Sequence, residues 1–231
     1  MTTTLSTTET TWRRLERATG ATGLLAILLI FGSVSIIGDG EPPPLATLEQ
    51  AARYFHHADG AWLQPAAALF AVSLLVFLWF AVGLSQILRR AEPDPPWRST
   101  VALMSGVLFV AFGLIDTSVG AAAHRGTVID PALAAYAWDV NMFDFANAWL
   151  ALGSFALAAG LAARAARSSP RWPALLGIVS GVLLAPARFA WDNQALWMLP
   201  YAAMWVWMVV TCGRLVLRRP APPTPPDHEH G

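Results

Sequence analysis

Apolar residues in this chain gather into six blocks, separated by short polar stretches. The blocks run from Gly20 to Gly38, Pro65 to Leu88, Thr100 to Ala123, Phe143 to Ala163, Trp172 to Ala187 and Trp197 to Leu217. Most hold about 20 residues, the length at which a helix rising 1.5 Å per residue crosses a hydrocarbon core of about 30 Å. The pattern predicts an all-α fold, a bundle of six transmembrane helices. The fifth block is short, and Pro186 and Arg188 interrupt its end. The first follows Arg13, Arg14 and Arg17 and so has the outline of a signal peptide. Ser33-Val34-Ser35 before Ile36 and Ile37 is a poor cleavage site, however, and an uncleaved first span is expected.

The polar stretches predict the rest of the organisation. Pro42, Pro43 and Pro44 stop any helix after the first span. Thr47 and Gln50 then have capping-box spacing, and Leu48, Ala51, Ala52 and Phe55 follow at helical intervals. A short amphipathic helix over residues 47–58 is expected in this first outer loop, lying on the membrane surface. Residues 1–19 form an N-terminal arm, 20–218 the six-helix membrane domain, and 219–231 a Pro-rich tail for which disorder is expected.

Charge fixes the expected orientation. All fifteen basic residues are Arg. With the N-terminus inside, the cytoplasmic segments carry Arg13, Arg14, Arg17, then Arg89, Arg90, Arg98, then Arg164, Arg167, Arg171, then Arg214, Arg218, Arg219. The outer side carries only Arg53, Arg125 and Arg188. This positive-inside bias predicts cytoplasmic N- and C-termini, and an odd number of spans would spoil it. Trp62, Trp97, Trp172 and Trp197 lie at block edges, where interfacial belts form. The other Trp and Phe residues are expected to face lipid or the interfaces. The Arg-, Ala-, Gly- and Pro-rich composition reads as GC-rich bacterial coding, which places the protein in a bacterial inner membrane. A net charge of zero gives no argument for nucleic acid. The single cysteine, Cys212, excludes an internal disulfide and a cysteine-based metal cluster.

Polar residues at membrane depth are the candidate chemistry. Asp116 falls about 16 residues into the third span, roughly 24 Å along it. It shares a face with Gly106, Gly113 and Gly120, and small residues mark where helices touch. On the fourth span Asn141, Asp144 and Asn147 lie on one side, above a stripe continuing through Ala148, Ala151, Phe155 and Ala162. Arg188 supplies a cation at similar depth, and its planar fork suits carboxylates. These five residues (Asp116, Asp144, Arg188, Asn141 and Asn147) are the expected lining of an outward-facing ligand pocket. The alternative is a structural ion-pair network joining three helices. His56, His57 and Asp59 read as surface residues rather than as a metal site, and His124 as interfacial. No span carries a central histidine for axial haem ligation. There is no H-E-x-x-H, G-x-S-x-G, Walker or C-x-x-C motif.

The expected function is therefore non-enzymatic, with no cofactor: binding or moving a small polar or amphipathic ligand. An accessory subunit packed on a partner membrane protein, or a homodimer, is the alternative. An intramembrane enzyme using paired Asp residues is the third reading. The basic start, the Gly38–Pro43 segment, Glu49 to Phe55 and the Ser169–Pro173 entry to the fifth span together resemble a class of multi-pass membrane proteins of GC-rich actinobacteria, a domain class of unknown function. That resemblance implies a membrane location and carries over no functional residues.

Overall fold

Each apolar block becomes a helix because a backbone in lipid must satisfy its own polar groups. The computed structural model describes residues 7–38, 40–57, 60–115, 118–166 and 171–217. The helices are α1 (Thr7–Ile37), α2 (Leu48–His57), α3 (Gly60–Ala91), α4 (Trp97–Ile115), α5 (Ser118–Arg125), α6 (Pro131–Ala165), α7 (Arg171–Ala187) and α8 (Gln194–Leu217). Among the described residues there is no strand, and six helices are long and apolar enough to cross a membrane. The tail beyond Leu217, Asp116, Asp59 and Trp62's side chain lie outside the described residues.

The long helices form a ring in chain order: α1 packs on α3, α3 on α4, α4 on α6, α6 on α7, α7 on α8, and α8 back on α1. Helix α6 also touches α3 and α8 across the ring. Of its apolar stretch 67% is buried, against at most 39% for any other span. It is the central helix, which explains why its sequence shows no single apolar face. Small residues allow these approaches. A Cβ on Gly181 of α7 would stand 2.5 Å from the Gly153 carbonyl oxygen of α6. A Cβ on Gly20 of α1 would stand 2.6 Å from the Cys212 carbonyl oxygen of α8. Phe77 links three helices, with its ring 4.8 Å from Phe109 and 5.5 Å from Phe155.

The third block lies within one candidate span, Trp97–Val128, whose described parts are α4 and α5, and α5 packs on α3 and α6. The fourth block extends well before Phe143. Pro131 occupies the first turn of α6, and Asp130 caps it by accepting the Ala132 N–H at 2.8 Å. At 35 residues α6 is about 52 Å long, so some 20 Å protrudes beyond a bilayer core.

That protruding end carries a second hydrophobic cluster. Ala51, Tyr54 and Phe55 of α2 pack with Leu63, Ala122, Ala134 and Trp138. Thr47 N–H donates to Gln50 Oε1 at 2.8 Å and Gln50 N–H to Thr47 Oγ1 at 3.3 Å, closing the capping box. The Trp138 indole donates to the Pro43 carbonyl at 3.1 Å, and the Tyr54 hydroxyl donates to the Ile37 carbonyl at 2.8 Å. The apolar face of α2 is thus buried on protein, where a lipid-facing surface helix was expected. These elements make a small cap on one end of the ring.

The opposite end has its own anchor at the α3–α4 turn. The Glu92 side chain is fully buried. Its carboxylate accepts the N–H groups of Arg98 (3.1 Å) and Ser99 (3.0 Å), which open α4, and pairs with Arg98 Nη1 at 3.2 Å. Burial pushes the Glu92 carboxyl up, but hydrogen bonds from Ser99 and Arg98 outweigh it and hold the group below its ordinary value.

Candidate functional site

The cap end carries Arg188, Asn147, Asp144 and Asn141. Arg188 follows α7 directly, in a single turn of 3-10 helix over Arg188–Ala190. Its Nε donates to Asn147 Oδ1 at 2.7 Å, and its guanidinium lies 5.6 Å from the centre of the Phe143 ring. Phe143 in turn meets Trp191 at 5.1 Å. Asp144 is half-buried, one turn from Asn147 on α6, and Asn141 is half-buried one turn further. Arg188 and Asn147 are therefore brought together by α6 and the end of α7. Asp144 and Asn141 share their helix, and Asp116 lies outside the described residues. The stripe below behaves as a packing face, with Ala148, Ala151, Phe155 and Ala162 all buried. Gly106 and Gly113 also pack, against Ala81 and Leu74 of α3.

The Arg188–Asn147 contact is charge-assisted, and such bonds contribute about 1.5–3 kcal/mol. A double-mutant cycle of Arg188→Ala and Asn147→Ala should show coupling of that order by unfolding in mixed micelles. Simple additivity would mean the contact is not formed.

The aromatic residues were expected at lipid or the interfaces, and several are instead internal. Trp138 and Trp149 are each 1% exposed, and Trp205 and Trp207 are also buried. Trp149 stacks obliquely on Trp197 at 4.9 Å, with Phe145 and Tyr201 closing the group. The spacings Phe145–Trp149 and Trp197–Tyr201–Trp205, one helical turn apart, are the signal that marks these faces. Trp97 and Trp172 remain exposed at helix starts.

A cavity opens at the other end, where the Arg-rich segments lie. It has a volume of about 930 Å³ and enters the ring between α1, α3, α6, α7 and α8. Its walls are apolar, including Leu84 and Ile87 of α3, Ala159 and Ala163 of α6, and Trp207 and Val210 of α8. Its rim is charged: Glu9, Arg13 and Glu16 from α1, Arg90 from α3 and Arg214 from α8. Arg90 lies over the Trp12 ring at 4.5 Å. A Cβ added at Gly213 would meet nothing within 4 Å, so open space reaches this helix. Sequence reading missed the cavity because it is made of missing volume. Only Ala159, Ala163 and Ala166, and Gly213 opposite them, hint at it.

Apolar walls with a few polar groups at the mouth suit the binding of an amphipathic molecule, and about 300–1,000 Å³ is the usual range of ligand pockets. Among the described residues no group of three or more His, Cys, Asp or Glu side chains is placed to hold a metal ion. No protein-family model, no curated protein and no solved structure matches this chain.

Proposed function

We propose that this chain is a multi-pass protein of a bacterial plasma membrane that binds a small amphipathic ligand without chemically changing it. The observation that carries the reading is the apolar cavity of about 930 Å³ with a charged rim. The Arg distribution supports a cytoplasmic rim and cytoplasmic termini, with the cap and α2 outside. The site therefore opens inward, the reverse of the outward-facing pocket suggested by Asp116, Asp144 and Arg188. In this reading the Arg188–Asn147 contact ties α6 to the end of α7 and leaves ligand binding to the other end.

Two measurements test it. Tags at either terminus or near Pro93 should report from the cytoplasm, and one near Glu41 from outside. Termini on opposite sides would refute the topology. Native mass spectrometry of the purified protein should show a bound small molecule, absent from Gly213→Phe, whose ring enters the cavity. Retention of the molecule by that variant would place the ligand elsewhere.

A second reading, an accessory subunit or homodimer, draws on Leu45, Leu48 and Val128. These are 70%, 53% and 79% exposed on the elements of the cap. Co-purification of a second polypeptide, lost on Leu45→Glu with Val128→Glu, would favour it.

A further inference from the structure

The rim of the cavity is not electrically neutral. It holds three guanidinium groups (Arg13, Arg90 and Arg214) against the carboxylates of Glu9 and Glu16. Glu9, Glu16 and Arg214 each already have interactions of their own. Arg90 is exposed and rests on Trp12. Arg13 differs from these. It is half-buried at the mouth, and among the described residues it forms no ion pair, although Glu9 and Glu16 stand one turn away on either side. A half-buried guanidinium that forms no ion pair keeps its donors open to an arriving anion.

The shape of the cavity restricts what that anion is attached to. From Arg214 at the rim to Trp207 at the floor is seven residues of α8, about 10 Å. From Arg90 to Leu84 along α3 is about 9 Å. A depth of about 10 Å holds roughly eight bonds of an extended chain, taking about 1.2 Å per bond from backbone dimensions. With 930 Å³ over that depth, the space is about as wide as it is deep. A thin long tail would leave most of it empty, whereas a compact apolar body fills it.

We propose that the ligand is an anionic amphipath with a compact apolar body, its carboxylate or phosphate held at the cytoplasmic mouth by Arg13, with Arg90 beside it. This rests on the ligand-binding reading given above and deepens it. Trp207 and Leu84 then contact the apolar end, and Arg13 sets the preference for charge.

The test uses two probes of the same shape, 2-naphthoate and neutral 2-naphthylmethanol. Each is titrated calorimetrically into the full chain in phosphatidylcholine nanodiscs, with empty discs subtracted. The naphthoate should bind at least tenfold more tightly, and the margin should shrink as salt rises. Arg13→Gln should lose about tenfold in naphthoate affinity, the range for one hydrogen bond to a charged group, and leave the alcohol unchanged. Gly213→Phe should lose both. Equal affinities for the two probes in the unmodified protein would overturn the anionic assignment and leave the cavity reading standing. A charge preference that survives Arg13→Gln would also overturn it. Failure of both probes to bind would instead remove the ligand-binding reading beneath it. Phosphatidylglycerol added to the discs should not compete with naphthoate; competition would show that a long-tailed lipid enters the cavity and would overturn the compact-body assignment.

Discussion

Trp138→Ala should destabilise the cap by about 3–5 kcal/mol, the range for emptying a buried aromatic site. Trp138 is 1% exposed, and its indole holds the Pro43 carbonyl. Its ring lies 5.7 Å from Tyr54, so it joins three pieces: the loop after α1, helix α2 and the first turns of α6. The cap and the bundle have separate hydrophobic clusters, so the damage should stay local. Hydrogen exchange should accelerate by two to three orders of magnitude over residues 48–57, since each 1.4 kcal/mol is tenfold. The amides of α7 and α8 should keep their protection. Trp138→Phe retains most of the volume and loses only the hydrogen bond, which predicts about 1 kcal/mol. If α2 stays fully protected in the alanine variant, Trp138 does not hold the cap.

The second large effect is a change of sign between two glycines. Glycine within a helix costs about 1 kcal/mol relative to alanine, so Gly→Ala is favourable where space allows. At Gly213 a Cβ meets nothing within 4 Å, and Gly213→Ala should stabilise by up to about 1 kcal/mol. At Gly181 the same Cβ would stand 2.5 Å from the Gly153 oxygen and 2.7 Å from the Leu157 nitrogen. Both are main-chain atoms, which cannot rotate away, so α6 and α7 must separate. That strain exceeds the propensity gain, and Gly181→Ala should destabilise by about 2–3 kcal/mol net. Unfolding midpoints in mixed micelles measure both. A stabilising Gly181→Ala would show that the two helices do not approach as described.

The spans were legible because the bilayer criterion is one-dimensional: an apolar run of sufficient length needs no knowledge of its neighbours. The capping box at Thr47 and Gln50 was legible for a similar reason, being local. The cap as a unit was not. Ser118 to Arg125 continues the apolar content of the third block, and nothing in its composition shows that it packs on α6. The burial of Trp149 and Trp207 was hidden because lipid and protein interior are equally apolar, so hydrophobicity does not tell which side of a helix faces inward. The Arg188–Asn147 pairing was half legible. Both residues belong to the polar set near one end of the spans, and the turn after Ala187 brings Arg188 onto the Asn147 amide, a geometry that helix periodicity alone does not encode. The cavity depends on five helices at once, and no single segment encodes it.

The closure of the ring between α1 and α8 bears on how the protein is made. Helices leave the ribosome in order, and α1 can dock on α3 early, with Gly83 set against Thr19. The flank of α1 at Gly20 that receives Cys212 and Leu215 must wait, facing lipid, until α8 follows the other five. Until then the assembly is an open arc rather than a ring. The wall that α8 supplies to the cavity, with Trp207 and Gly213, is the last to arrive. The cavity is thus completed at the end of synthesis, and a nascent chain stalled before α8 leaves that flank of α1 uncovered.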